Sequence, residues 1–557
     1  MPRNGRRHTA LLAAAVVPAV LLAGCSSGDT SAGTSTAGGS KAEPVHGGSL
    51  TYAVDTEPIS WDIAVSQQDV TGSIQRNVFD SLVYQDPEGG GFQPWLATSW
   101  QVSGDLRTYT FHLRTDVKFT DGTRFDAQAV KANFDRIVDP ATKSQYASGL
   151  LGPYTGTKVV DPATVVVSFA KPFAPFLQAA STPYLGFYSP AAITRYGSKL
   201  GAGGPADVGT GPFVFSGYTK GQSAVMTRNP DYNWAPKAAD HQGPAYLDKL
   251  TFRFLSQDSV RIGALRSGQI QVAKSVPPAD LKSLKAEPTL QVLSEQSPGA
   301  VYSLVLNTSR APFDDLAVRR AFQRGINVDA DVKSVYFGAY QRAWTTLSPA
   351  TPGYTKALDN TLAYDPAKAN QLLDQAGWTG RDSDGYRTKN GAVLNVVWPL
   401  MPQNLVTQQH DILGQAVQAD LKKIGIRVQR PRQDVGTFVK QLFGGQDDVS
   451  DYSWSRADPD VLRLYFNSAE PPSKGGANGT FYKDADLDTW TEQGLTTLDP
   501  AARAAVYAKV QQRAVNDLAL SVPLYVGSAL VGASTRVHGL TSDANTWLEF
   551  HDTWLGK

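Results

Sequence analysis

Cysteine is almost absent from this chain, because Cys25 is the single cysteine among 557 residues. One thiol cannot form an internal disulfide or a metal site built from several cysteines. Thiol catalysis is also excluded for the long part of the chain that follows Cys25. The stability of the folded protein must therefore come from packing.

An excess of charge is lacking as well, since 52 Lys and Arg residues stand against 51 Asp and Glu residues. No basic stripe stands out, so neither nucleic-acid binding nor charge-driven membrane binding has electrostatic support. Nucleophile elbows, metal-binding helix motifs and Walker loops with usable spacing are missing too. We therefore expect a protein that is not an enzyme and that needs no cofactor.

Long apolar runs are limited to one segment near the start, Ala10–Ala23, which is shorter than the roughly 20 residues that span a bilayer. Three arginines precede it within residues 3–7, and Leu22–Cys25 follows, which is the order of a secretory signal peptide. This ending resembles the cleavage box of bacterial lipoproteins. The resemblance implies that Cys25 is a lipid anchor on the outer face of the cytoplasmic membrane. A plain secretory signal with an incidental cysteine is the alternative, and the choice between general and twin-arginine export stays open.

Residues 26–45 are rich in Gly, Ser, Thr and Ala and are predicted to be a flexible linker. The remaining chain is long enough for two or three compact lobes. Alternating residues predict strands near 47–54 and 109–114, and a helical period predicts a helix over 127–137. Asp-Pro pairs predict helices that begin at Pro366 and Pro500. Strands and helices are thus interleaved along the chain.

Short segments occur in an order that matches a known family. They are Arg76–Val83, Pro94–Trp100, Tyr109–Arg114, Phe119–Thr123, Gly209–Phe213, Arg228–Tyr232, Leu265–Gly268, Pro312–Asp315, Val318–Phe322 and Leu372–Trp378. Together they resemble the extracellular solute-binding proteins of peptide and nickel ABC importers, the oligopeptide/dipeptide-binding type called family 5. Gly325–Val328 departs from the sequence that relatives usually have there.

The resemblance implies an α/β fold of the two-lobed periplasmic-binding-protein (Venus flytrap) type, with an additional domain and mixed sheets flanked by helices. Lobe I is expected from 46–83, 189–295 and 526–557, the additional domain from 84–188, and lobe II from 296–525. A monomer would close by hinge motion on a solute between the lobes and deliver it to an ABC permease and ATPase complex. An extended oligopeptide is the expected solute. The alternatives are a nickel chelate, another large solute such as a glycoside or modified peptide, or a sensor lipoprotein that presents its ligand to a receptor.

The segment that begins at Trp454 is the first candidate for ligand contact, because relatives bind ligands there. Dipeptide- and oligopeptide-binding relatives usually have an Asp close after this Trp for the ligand ammonium, but here the segment is shorter. Ser455 or Ala457 takes the aligned position, unless Asp458 replaces it. Arg456 is either a surface charge, a partner of a nearby Asp, or a contact for an anionic ligand group.

Further candidates come from three other segments. Gln67, Gln68 and Asp69 align with a ligand-facing turn, although a solvated loop is equally consistent with them. Ser275 and Trp398 approach the pocket in relatives, and Trp398 also fits a buried core position. Relatives that bind dipeptides have an Arg soon after Trp398, but Pro399–Leu405 contains none, so a dipeptide-type site is not expected. No metal is expected either, because His410 and the turn Asp382–Gly385 each lack partner ligands.

Overall fold

The computed structural model describes residues 43–88, 91–144, 146–401, 408–474 and 476–557. The predicted signal peptide, Cys25 and linker residues 26–42 lie outside these ranges. None of the helices that the structure describes combines the length and the apolar character of a membrane span.

Strands and helices alternate along the described chain. The strands are β1 Ser49–Val54, β2 Val83–Gln85, β3 Phe92–Pro94, β4 Ala97–Val102, β5 Thr108–Leu113, β6 Tyr154–Asp161, β7 Thr164–Phe169, β8 Phe213–Thr219, β9 Ser223–Arg228, β10 Lys249–Phe254, β11 Val272–Ala273, β12 Leu290–Gln296, β13 Ala300–Leu306, β14 Gln341–Arg342, β15 Gly380–Arg381, β16 Arg387–Lys389, β17 Ala392–Val393, β18 Asn395–Val397, β19 Arg427–Gln429, β20 Val449–Trp454, β21 Ser521–Val526, β22 Ser528–Ser534, β23 Val537–His538, β24 Thr541–Ser542, β25 Leu548–Glu549 and β26 Trp554–Leu555. The α-helices are α1 Asp69–Gln75, α2 Ala127–Val138, α3 Tyr146–Leu151, α4 Phe176–Ala179, α5 Pro190–Tyr196, α6 Asp258–Arg266, α7 Leu281–Lys285, α8 Leu316–Arg324, α9 Val328–Val335, α10 Pro366–Gln375, α11 Gln408–Lys423, α12 Val435–Gly444, α13 Val461–Phe466, α14 Ala485–Leu495 and α15 Pro500–Gln511.

The helices predicted from Asp-Pro pairs begin where expected. The Asp365 side chain accepts a hydrogen bond from the backbone N–H of Lys368, and Asp499 accepts one from Ala502. Each aspartate thus satisfies an N–H group that the first helical turn leaves free. Helix α15 continues into a π-helical turn, Gln512–Asp517.

The largest sheet has seven strands in the order β12-β22-β11-β1-β10-β9-β8. Strand β1 lies in the middle and runs parallel to β10 and β11, whereas the other neighbours are antiparallel. Trp61, Phe79, Phe252 and Phe550 are buried in the apolar core that covers it. The sheet is mixed because β1 pairs in parallel with both of its neighbours while the other pairs are antiparallel.

A second sheet has four antiparallel strands in the order β14-β21-β13-β20. Its core includes Phe313, Phe322 and Trp398, which comes directly after β18. The chain crosses between the seven-stranded sheet and the second sheet twice, from β12 to β13 and from β21 to β22. The crossings lie side by side, since the N–H of Ser297 donates to the carbonyl oxygen of Gly527 at 2.8 Å.

A third sheet, with the order β4-β5-β7-β6, is antiparallel and packs against α2. Its core contains Tyr109 and Phe111, which alternate with more exposed residues of β5 as the sequence pattern predicts. Mixed sheets flanked by helices confirm the α/β class. The lobe boundaries given above stay a prediction.

Candidate functional site

A cavity of about 510 Å³ lies where the chain crosses between the seven-stranded sheet and the second sheet. Both crossings contribute to its wall, through Ser297 and Gly527. Lys274, which follows β11, lines the cavity from the side of the seven-stranded sheet, and Tyr302 of β13 lines it from the other side. A solute in this cavity would therefore contact both halves of the molecule.

Asp69 is the acidic group in this cavity without an ion-pair partner among the described residues. It begins α1, and its side chain is open to the cavity. The surrounding protein desolvates the carboxylate and raises the pKa of Asp69, against the attraction of Lys274. The ammonium of Lys274 lies 4.0 Å from the carboxylate of Asp55. The cavity thus contains one uncompensated carboxylate beside a loosely paired cation.

Four tyrosines form the opposite wall of the cavity. The rings of Tyr302 and Tyr525 are stacked, with centroids 5.0 Å apart and planes inclined by 3°. Tyr340 stacks on Tyr525 at 5.2 Å, and Tyr336 lies 4.6 Å from Tyr340. This tyrosine wall offers flat apolar faces and polar hydroxyl edges to a ligand. The four tyrosines come from separate segments of the chain, so the sequence analysis did not predict this wall. The four-residue spacing of Tyr336 and Tyr340 is the local sequence signal that points to it.

His410 also lines the first cavity, with its ring centroid 5.0 Å from that of Tyr302. Its Nε2 atom is 2.7 Å from a carboxylate oxygen of Asp451. Within the described residues, the cavity has no group of three His, Asp or Glu side chains close enough to share a metal ion.

The end of β20 separates this cavity from a second one of about 1120 Å³. Side chains alternate along an extended chain. Ser455 therefore points into the first cavity, whereas Trp454 and Arg456 line the second. Ser453 lines both, so the two cavities adjoin at this residue.

The residues predicted from sequence divide among several places. Asp69, Ser275 and Ser455 line the first cavity, and Gln67, Trp454 and Arg456 line the second. Gln68 instead holds a loop, because its side-chain oxygen accepts a hydrogen bond from the N–H of Ile59 at 2.6 Å. Trp398 is buried in the core of the second sheet, where the guanidinium of Arg430 lies 4.2 Å from its ring centroid.

Asp458 is buried, and its two carboxylate oxygens each accept a hydrogen bond of 2.8 Å from Arg503. Burial opposes ionisation, but the charge of Arg503 keeps the pKa of Asp458 below its ordinary value. Arg456 is buried as well, with its guanidinium 3.6 Å from Asp460. The charged side chains of Arg456 and Asp458 are therefore both engaged within the protein.

Residues 91–475 match the family described as "Bacterial extracellular solute-binding proteins, family 5 Middle". The chain belongs to this family. Over 469 residues it is 30% identical to the glutathione-binding protein GsiB of Escherichia coli (strain K12), covering 83% of this chain and 85% of that protein. Over 492 residues it is 30% identical to di/tripeptide-binding protein 1 of Pseudomonas aeruginosa, covering 83% and 86%.

Among solved structures, the chain is similar to NikA from Brucella suis in complex with Fe(III)-EDTA. The TM-score is 0.80 at 27% sequence identity, and the match covers 91% of this chain and 100% of that chain. The predicted family and its periplasmic-binding-protein fold are thereby confirmed. The family consists of extracellular solute-binding proteins, so the two cavities are candidate binding sites for a solute.

Proposed function

We propose that this protein captures a short peptide, or a peptide-like solute with a protonated amine, and delivers it to an ABC permease. The observation that carries the proposal is the carboxylate of Asp69 in the first cavity, which has no ion-pair partner in the part of the chain that the structure describes. A partly desolvated carboxylate is costly unless a cation or several hydrogen-bond donors face it. A ligand ammonium would supply both charge and donors.

The rest of the cavity fits the same class of solute. Lys274 places positive charge near Asp69, so a zwitterion meets both signs. The tyrosine wall can contact apolar side chains. A volume of about 510 Å³ lies within the range of small-molecule sites, and the second cavity leaves room for a longer ligand. The names of two relatives, a glutathione-binding and a di/tripeptide-binding protein, also favour short peptides.

We propose that ligand binding closes the two halves about the crossings at Ser297 and Gly527. The ligand favours the closed form because it contacts both walls only when they are close together. The permease would recognise that closed form.

We further propose that Cys25 carries the lipid anchor that keeps the protein at the outer face of the membrane.

Native mass spectrometry of protein purified without refolding is the first test, because a closed cleft can retain its ligand. A ladder of peptide masses supports the proposal. A single non-peptide mass or a metal chelate would overturn the peptide assignment and favour the nickel-chelate or large-solute alternative.

Calorimetry with trialanine and N-acetyl-trialanine then tests the role of the ammonium. We expect trialanine to bind at least about tenfold more tightly, since acetylation removes the charge that pairs with Asp69. Equal affinity for both peptides would contradict the role of Asp69.

Neighbouring permease and ATPase genes would favour an importer over a sensor.

A further inference from the structure

The loop between β24 and β25 lines the first cavity and contains a polar side chain that was not predicted from the sequence. Asn545, Thr546 and Trp547 of this loop all contribute to the cavity wall. Asn545 is only 5% exposed. A buried amide is costly unless its donors and its acceptor are engaged. The hydrogen bonds of Asn545 therefore show which of its groups is left for a ligand.

Asp543 holds the backbone of this loop in place. One oxygen of its buried carboxylate accepts a hydrogen bond from the N–H of Asn545 at 2.8 Å and another from the N–H of Trp547 at 3.1 Å. The other carboxylate oxygen accepts from Nε of Arg76 at 3.3 Å. The Asn545 side chain thus projects from a backbone that is fixed by contacts within the protein.

The same loop packs against the helix that begins at Asp69. A Cβ atom at Gly72 of α1 would lie 2.8 Å from the ring of Trp547, so the loop and the helix are in close contact there. The ring of Trp547 also lies near that of Tyr184, with centroids 5.8 Å apart. Asn545 and Asp69 therefore belong to neighbouring elements of one packed wall of the first cavity.

The oxygen of the Asn545 amide is engaged with the opposite side of the molecule. Oδ1 accepts a hydrogen bond of 3.3 Å from the backbone N–H of Ala457, which follows β20 of the second sheet. An N–H group only donates, so this contact decides which amide atom is the oxygen. Nε2 of Gln85 donates to the carbonyl oxygen of Ala457 at 2.9 Å. Both backbone polar groups of Ala457 are thus held by side-chain amides.

The nitrogen of the Asn545 amide has no hydrogen-bond partner within the ranges that the structure describes. The hydrogen bonds of Asn545 there are those of Oδ1, of the backbone N–H, and of the backbone carbonyl oxygen, which accepts from Thr546. The Nδ2 group is not sealed in the protein interior. The cavity is the open space beside this side chain. Two N–H donors are therefore available to a molecule in the first cavity.

A ligand oxygen is the partner that these donors fit. Amide N–H groups pair with carbonyl or carboxylate oxygens, whereas the carboxylate of Asp69 pairs with a cation. A peptide carries both an ammonium and carbonyl oxygens. Asp69 and Asn545 can therefore recognise different groups of the same solute.

We propose that Asn545 binds the solute through Nδ2, which donates to a carbonyl or carboxylate oxygen, while Oδ1 stays bound to Ala457. This inference rests on the proposed function and adds a ligand-binding residue to it. A solute oxygen that fixes the amide in this orientation also favours the hydrogen bond to Ala457. Binding on one side of the cavity is thereby coupled to the segment that follows β20, and the coupling favours the closed form.

Calorimetry with trialanine tests this role on the variant Asn545→Asp. The substitution keeps an oxygen that can accept from Ala457 and replaces the N–H donors with a second acceptor. We expect trialanine to bind the variant at least about tenfold more weakly, because an oxygen of the peptide then faces a carboxylate. The matched control is Asn516→Asp, at a half-buried asparagine whose Nδ2 donates to Thr361 outside both cavities. The control should keep wild-type affinity.

The outcomes separate this inference from the proposed function. Equal affinity of the wild type and Asn545→Asp for trialanine would overturn the role of Asn545 and leave peptide capture standing. Absence of trialanine binding to the wild type would overturn both. Circular dichroism checks that each variant folds. If Asn545→Asp does not fold, a crystal structure of the wild type with trialanine decides, since Nδ2 must then lie within about 3.2 Å of a peptide oxygen. An Nδ2 group that faces no peptide oxygen would overturn the inference.

Discussion

The Asp69→Asn substitution removes a charge that has no ion-pair partner among the described residues, while it keeps the shape of the side chain. Because desolvation raises the pKa of Asp69, its ionised form is less favourable in the empty cavity than in water. The variant should therefore be at least as stable as the wild type. A hydrogen bond to a charged group contributes about 1.5–3 kcal/mol, so the affinity for trialanine should fall about 10- to 150-fold.

The pH dependence of binding gives a second measure of the same charge. An ammonium ligand needs the ionised form of Asp69. Since the pKa of this carboxyl is raised, the ionised form is lost at a higher pH than for an ordinary aspartate. The affinity of the wild type should fall as the solution is acidified through that raised pKa. The affinity of Asp69→Asn should stay nearly constant over the same range.

Asp458→Asn is the matched control, because it makes the same chemical change at a buried aspartate that is paired with Arg503. Breaking a buried ion pair typically costs about 3–5 kcal/mol. We therefore expect a clear loss in the free energy of unfolding, measured by urea titration with tryptophan fluorescence. The reasoning fails if Asp69→Asn keeps wild-type affinity for trialanine, or if both variants lose the same stability.

Two further predictions concern the scaffold. A Cβ atom at Gly209 would lie 2.0 Å from the carbonyl oxygen of Val78, so Gly209→Ala should lower the free energy of unfolding by about 1–3 kcal/mol or more. Gly217→Ala is the control, because its Cβ atom would meet no atom within 4 Å and should cause no steric loss. Urea titration compares the free energies of unfolding of the two variants. Burial, and then the charge of Asp420, raise the pKa of Asp331 to about 7. The stability that protonated Asp331 provides is full below the unfolded pKa and is lost as the pH rises through about 7. Asp331→Asn should therefore be the more stable protein at pH 8, and the difference should vanish at pH 4. The rise of the pKa from its ordinary value to about 7 corresponds to about 4 kcal/mol, and solvent screening of this half-buried carboxyl reduces that figure.

The sequence predicted best those elements whose signals are local. Asp365 and Asp499 stand directly before prolines, and each accepts the backbone hydrogen bond that starts its helix. The alternation in β5 likewise depends on neighbouring residues. The parallel pairing of β1 with β10 could not be read from such signals, because about 200 positions separate the partners Ser49 and Lys249 and no local pattern specifies them.

The candidate site was predictable only in part for the same reason. Asp69, Ser275 and Ser455 were found through resemblance, and all three line the first cavity. The pairing of Asp458 with Arg503 was missed, since it joins a turn to a helix 45 positions later. A charged residue near a tryptophan gives no sign of whether its partner is a ligand or another part of the chain.

The two walls of the first cavity differ in chemistry, and this difference has a consequence for transport. Asp69 and Lys274 lie on the side of the seven-stranded sheet, whereas Tyr302 and Tyr525 belong to the second sheet. A zwitterionic ligand can satisfy the charged wall while the molecule is open. In the closure proposed above, the tyrosine wall would add contact area, and only this additional contact would shift the balance toward the closed form. The charges would then govern capture, and the apolar parts of the ligand would govern closure and hence delivery.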